Sequence, residues 1–460
     1  MKKLTTLLLA AGMVFAASAP ASAVDVKMDG EYMFTFGLGD RMATGKSFDV
    51  AGQRVRIGMT FTANENLSGY LQLQAGISPE DNSEYSWGTD TTGRDSRVAV
   101  RQAYIDWIVP NTDVKVRMGK QLIALPVDAF GKSAIFHSWA SRDGISVAAP
   151  VTDWMSLNAF WMRGNYVEGG EYYGTDESDK SDFFAVSAPM KFDGFAVTPY
   201  VMYAAIDQTP WVNVEDEYTN ALAGSTDGAY LADGNAFWAG VTTTMTYFDP
   251  FVLKLSGAYG TVSYDGLGDN KGTAHNWNDR AGWYVQAKAS YKTAYGTPIL
   301  GAWYGSGDDR DAQYARQNWI PTQAGRFHPT YGLANGQYGL YDGLAAQHNI
   351  CGTWGVQAGI ENVSFLEDLS HKFTVTMFKG TNHDGVDATL SPVNYMTYSD
   401  TAVEFDLSST YKIYKNLTAN LELAYVIADY DKDDHATFAT NNKDWDENGW
   451  SAMLSFAYQF

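Results

Sequence analysis

The last eleven residues, Trp450 to Phe460, alternate without interruption. Trp450, Ala452, Leu454, Phe456, Tyr458 and Phe460 fall on one face, and Ser451, Ser455 and Gln459 on the other. A period of two belongs to a strand and not to a helix. A chain that ends on so apolar a strand leaves an open edge and an uncovered face. Both problems vanish when the sheet closes on itself and hydrocarbon solvates its outside.

The same grammar runs through the chain. Val24, Val26, Met28, Tyr32, Phe34, Phe36 and Leu38 alternate with Asp25, Lys27, Asp29, Glu31 and Thr35. Val55, Ile57, Met59 and Phe61 oppose Arg54, Arg56, Thr60 and Thr62, and a turn at 64–66 leads into Leu67, Leu71 and Leu73 against Ser68, Gln72 and Gln74. Further strands are expected near 97–109, 114–121, 145–149, 154–163, 182–189, 196–206, 237–247 and 251–261. The series continues near 281–292, 297–304, 352–360, 371–379, 401–412, 417–427 and 448–460.

The count is eighteen, with sixteen as the alternative, and the strand lengths suit a tilted crossing of a bilayer. Short connections (64–66, 110–113, 150–153, 190–195, 248–250, 293–296, 361–370, 413–416) interleave strictly with long ones (39–51, 78–96, 122–143, 164–181, 207–235, 262–280, 305–351, 380–400, 428–447). The expected fold is therefore all-β: a transmembrane antiparallel β-barrel with short periplasmic turns and long external loops. Aromatic residues near strand ends, among them Tyr32, Trp107, Trp154, Trp161, Trp238, Tyr247, Tyr291, Tyr411, Tyr425 and Tyr458, read as interfacial girdles.

The N-terminus specifies export. Lys2 and Lys3 precede an apolar run from Leu4 to Ala17, and Ala21-Ser22-Ala23 forms a cleavage site. Residues 1–23 are read as a signal peptide and 24–460 as one barrel domain destined for a bacterial outer membrane. A net charge of −21 argues against nucleic acid as a partner. The single cysteine, Cys351, cannot form an intramolecular disulfide. The seven histidines are scattered, and no nucleophile elbow or phosphate loop occurs. Asp429, Asp431, Asp433 and Asp434 depart from a calcium loop, with Asp434 where glycine belongs and Thr440 where the bidentate glutamate belongs. No enzymatic activity, cofactor or metal is expected.

Candidate functional residues lie on the polar face. Lys27, Arg54, Arg56, Lys115 and Arg117 would form a basic wall on the inside of the first strands. The segment 122–143 is too apolar for an exposed loop and is expected to fold into the lumen, carrying Asp128 and Lys132. Opposed acidic and basic rows would place a transverse field across a narrow aqueous pore. Inward tyrosines such as Tyr70, Tyr104 and Tyr200 leave room for an aromatic sugar track.

Several segments resemble a known family. The exported start, Arg54-Val55-Arg56-Ile57-Gly58, Arg101-Gln102-Ala103-Tyr104-Ile105, and Val116-Arg117-Met118-Gly119-Lys120-Gln121 followed by a loop are similar to the first third of trimeric porins. The likeness is greatest to the homotrimeric outer-membrane porins of Desulfovibrio-type sulfate reducers. Trp450, Leu454, Phe456, Tyr458 and Phe460 resemble the terminal targeting strand of Gram-negative outer-membrane barrels. The resemblance implies passive diffusion of ions and small hydrophilic solutes through a homotrimer in outer-membrane lipid. It also implies insertion by the barrel-assembly machinery, and 122–143 as the eyelet loop. Pro126-Val127-Asp128-Ala129-Phe130-Gly131 stands where enterobacterial porins carry Pro-Glu-Phe-Gly-Gly. A substrate-selective sugar channel of the same architecture is the alternative reading.

Overall fold

The computed structural model describes residues 24–41, 46–76, 98–136, 141–163, 181–206, 234–264, 279–312, 315–322, 327–333, 350–384, 395–437 and 446–460. The signal peptide assigned to 1–23 lies outside the described residues, as do most of the long connections.

The strands are β1 (Asp25–Arg41), β2 (Lys46–Asn64), β3 (Leu67–Gly76), β4 (Val98–Ile108), β5 (Lys115–Gln121) and β6 (Arg142–Thr152). They continue with β7 (Met155–Arg163), β8 (Ser181–Ser187, resumed at Met190–Phe192), β9 (Phe195–Ile206), β10 (Gly234–Met245), β11 (Phe251–Tyr264) and β12 (Arg280–Tyr291). The last six are β13 (Thr297–Gly305), β14 (Thr353–Leu366), β15 (Leu369–Gly380), β16 (Thr401–Tyr414), β17 (Leu417–Asp429) and β18 (Gly449–Gln459). Each pairs antiparallel with its neighbours in sequence. Pro189 has no N–H to donate, which explains the interruption in β8.

The barrel closes between its ends. Glu31 to Asp40 of β1 pair with Gln459 to Trp450 of β18. Beyond the ladder, the Gly30 N–H donates to the Phe460 carbonyl at 2.9 Å and the Phe460 N–H returns to the Gly30 carbonyl at 3.1 Å. No edge is left for another chain to extend. One expected loop is instead strand: the β1–β2 ladder continues to Arg41 opposite Lys46, so most of 39–51 is paired.

Register divides every strand into two faces. Phe36, Leu38, Ile105, Val186, Val201, Val285, Leu300, Val356 and Ile427 point outward and are exposed. Their neighbours Thr35, Gln102, Gln286 and Gln357 point inward and are buried. A surface this apolar needs hydrocarbon around it, and a closed barrel leaves no backbone group unsatisfied within it. Trp107, Trp154, Tyr247, Tyr291, Tyr411 and Tyr458 are exposed at the short-turn end; Trp283, Tyr425 and Trp450 are exposed toward the long-loop end. Trp238 corrects the girdle expectation. It faces inward, is fully buried, and donates its indole N–H to the Pro321 carbonyl at 2.7 Å.

Candidate functional site

Two segments from the long-loop end enter the lumen and divide it. The first, 122–136, leaves β5 and reaches the far wall. The Ala129 N–H donates to Ser256 Oγ at 3.0 Å and the Phe130 N–H to Gln286 Oε1 at 3.2 Å, on β11 and β12. Phe130 packs edge-on against Trp303 of β13 and against Phe327. The apolar composition of the segment is thereby accounted for, since Ile123, Leu125, Ala134, Ile135 and Phe136 are all buried inside the barrel.

Asp128 is the clasp of this segment. Its Oδ2 accepts the Ala134 N–H at 2.8 Å and the Tyr284 hydroxyl at 2.8 Å. Only 2% of the residue is exposed. Burial pushes its carboxyl up to about 6, against the lowering effect of those hydrogen bonds. The expected role of Asp128 as a pore-facing acid is therefore corrected. A carboxylate stripped of water and bonded on both sides of a loop fixes that loop and offers no charge to a solute. Lys132, half-buried, lies 3.5 Å from His328 Nδ1.

The second segment, from 306 to 352, corresponds to the long connection expected at 305–351, for which the sequence gives no location. Most of its described residues are packed inside the barrel, with Asp309, Arg310 and Asp311 exposed. Trp319 and Ile320 lie directly on Gly282 of β12, where an added Cβ would fall 2.3 Å from the Ile320 nitrogen. Asp308 is buried, accepting the Asn318 N–H at 2.8 Å and the Tyr395 hydroxyl at 2.7 Å; burial raises its carboxyl. Cys351 is buried and takes the Ile320 N–H on Sγ at 3.3 Å, and its thiol is pushed up to about 11 by burial.

The opposite wall, on β1 to β5, carries a cluster of cations. Arg54 Nη2 meets Glu31 Oε1 at 2.6 Å, and Arg56 Nη1 lies 3.9 Å from the same oxygen. Arg56 Nε also donates to Gln74 at 2.9 Å. Nearer the short-turn end, Arg117 grips Asp106 through two hydrogen bonds of 2.6 and 2.9 Å. Lys115 shares that carboxylate at 2.8 Å. The Arg117 guanidinium lies 3.8 Å from the centre of the Tyr104 ring, which in turn contacts Tyr70 at 5.3 Å.

Lys27 is not part of this group: its side chain is 78% exposed near the start of β1, beside Asp25. The strand parity is right, but Lys27 sits four or more positions short of Glu31 and the constricted level. Arg101 is the addition that alternation missed. A bulge pairs Gln72 with Gln102 but Leu73 with Val100, so the register steps over Arg101. Its guanidinium turns inward and donates to Gln72 Oε1 at 3.1 Å. Strict period-two reading places it outside, and only the bulge reverses it.

Below the first segment, the wall and the loop enclose a cavity of about 650 Å³ lined by Lys115, Arg117, Leu122, Pro126, Asn158 and Phe160, among others. It combines a cationic end with an apolar side.

No family model and no curated protein matches the chain. Solved structures match its fold. Pseudomonas aeruginosa OccK9 (OpdG) aligns with a TM-score of 0.55 at 11% identity, covering 95% of this chain and 98% of that one. OccK2 (OpdF) of the same organism aligns at 0.54 and 14% identity, with 95% and 98% covered. OpdK, solved with vanillate, aligns at 0.53 and 11% identity, with 94% and 98% covered. The chain thus has the eighteen-stranded closed-barrel fold of these outer-membrane channels. These neighbours support a porin-type barrel and give no support to the closer Desulfovibrio-type relationship.

Proposed function

We propose that the chain is an outer-membrane channel selective for small hydrophilic solutes, with anionic groups such as carboxylates favoured. One observation carries this reading: Arg54, Arg56, Arg101, Lys115 and Arg117 gather on one inner wall of a barrel whose other wall is filled by its own loops. That basic wall carries more cations than the carboxylates of Asp29, Glu31 and Asp106 balance. Charges placed around a narrow aqueous path act over its whole width. The cavity beside Arg117 could take an apolar body behind an acidic head, in keeping with an OpdK structure that holds vanillate.

This favours a selective channel over a general diffusion pore. A sugar track is less well supported, because Tyr70 and Tyr104 face each other and Arg117, and Tyr200 is buried. An enzymatic activity forms no part of the reading. Export through cleavage after Ala23, insertion by the assembly machinery and a homotrimeric state belong to the same proposal, supported by the chain termini and by likeness to trimeric porins.

Planar-bilayer recording in a salt gradient tests it. The wild type should prefer chloride over potassium, and benzoate-class carboxylates should block current saturably. Each neutralised arginine removes about 1 kcal/mol of attraction for a nearby anion. R54Q/R56Q/R117Q should therefore lower the anion preference by at least about tenfold. An unchanged reversal potential in that variant would reject the basic wall as the selectivity element.

A further inference from the structure

The inner face of β16 and β17 carries three carboxylates, Glu404, Asp406 and Glu422, each no more than 2% exposed. They lie just before the closing seam, where β18 alone separates β17 from β1, and what covers them is residues 327–333 of the second in-folded segment. Buried carboxylates require hydrogen bonds. Backbone amides supply them here. The Tyr331 N–H donates to Glu404 Oε1 and to Asp406 Oδ1, both at 3.2 Å. The Gly332 N–H donates to Glu404 Oε1, and the Leu333 N–H to Glu404 Oε2 at 2.9 Å. Gln357 on β14 holds the same segment by donating to the Pro329 carbonyl at 2.6 Å. Gly332 fits because it has no side chain: an added Cβ would fall 2.8 Å from Glu404 Oε1 and 3.2 Å from the Ala424 Cβ.

We infer that residues 327–333, by seating on Glu404 and Asp406, set the sign of the channel's ion preference. This rests on the channel reading above. Three consecutive amides are a ready-made anion site, and the barrel supplies the anion from its own wall. With the segment seated, these carboxylates are covered, and the cations of β2 to β5 outnumber the carboxylates beside them. With the segment displaced, Glu404, Asp406 and Glu422 would face water beside Glu361, whose charge Lys288 and Lys372 already share at 3.0 and 3.5 Å. A lumen that attracts anions would then gain a second surface, one that attracts cations. The specificity-determining residues are therefore Glu404 and Asp406, which the alternation pattern does not distinguish from other polar wall positions, and Gly332 of the in-folded segment.

The test is a set of bilayer recordings on the full chain, with folding checked by the mobility of unheated protein in SDS. G332V should raise single-channel conductance and shift the reversal potential toward cations, with the cation-to-anion permeability ratio rising about threefold. Y331P, which deletes the amide shared by both carboxylates, should move it the same way should G332V fail to fold. G332V/E404Q/D406N should keep the larger conductance but return the reversal potential to the wild-type value. A shift that survives removal of the carboxylates overturns the inference. So does an open, folded G332V channel with wild-type selectivity. A folded wild-type chain that opens no channel at all defeats the channel reading itself, and with it this inference.

Discussion

The two halves of this lumen solve the same problem in opposite ways. Along β1 to β6 the inward side chains are largely Arg, Lys, Gln, Tyr and acids, tied to each other across strands, and the charged ones are only part-buried. Along β9 to β17 the inward face is packed like a water-soluble core, with Trp238, Tyr284, Trp303 and Phe378, and Trp319 of the second segment against them, all at 4% exposure or less. Every strand in both halves has the same apolar exterior. The difference arises because two long connections turn inward and bury their apolar residues against one wall. A barrel wall solvated by water can stay polar; one solvated by its own loops must supply apolar surface and matched hydrogen bonds.

The comparison is most easily broken at Trp303. It packs on Phe130, Phe327 and Phe378 and donates its indole N–H to Thr353 at 3.1 Å, so it joins both in-folded segments to the wall. W303A should cost about 3–5 kcal/mol, the range for a fully buried aromatic. Y104A, on the open wall, should cost well under half of that, because water already reaches the ring. Urea unfolding in detergent micelles measures both. Equal losses would mean that the two walls are not packed differently.

A smaller effect tests the exterior that the halves share. Leu71 points outward on β3 and Gln72 inward, one residue apart. L71R should destabilise the barrel in lipid by about 2–4 kcal/mol, as expected for a cation on the hydrocarbon side of a strand near mid-membrane. Q72R should fold normally and add to anion preference. A reversal of the two outcomes would place the register one residue out.

How much of this could be read from the chain alone follows the same division. Alternation located all eighteen strands, because outward positions must be apolar whatever the lumen does. It also found Arg54, Arg56 and Arg117, since polar residues on a water-facing wall keep the period of two. It failed at Arg101, where a bulge inserts one residue and flips the face. It misplaced Trp238, because on the sealed wall an inward tryptophan looks like a lipid-facing one. It could not place the connection 305–351, whose mixture of Trp, Asp and Gly fits an exposed loop as well as a packed one. The carboxylates of Glu404 and Asp406 looked like ordinary wall residues, because their partners are backbone amides and backbone leaves no mark in composition.

Asp128 gives the finest measure of how firmly the sealed wall holds its first loop. Its carboxyl is raised from the ordinary 3.8 to about 6 by burial, so the seated loop favours the protonated form. Seating is strongest below the ordinary carboxylate range and weakens as pH climbs through about 6, with a total effect of at most about 3 kcal/mol. Current noise from loop fluctuation should therefore grow between pH 4 and pH 7. Asn in place of Asp keeps an oxygen to accept from Tyr284 and Ala134 but cannot ionise, so D128N should be quiet and flat across that range. D128A, which leaves the Tyr284 hydroxyl without its acceptor, should be noisy at every pH. Should D128N retain the wild-type pH dependence, the clasp lies elsewhere, and the sealed wall holds its loop by apolar packing alone.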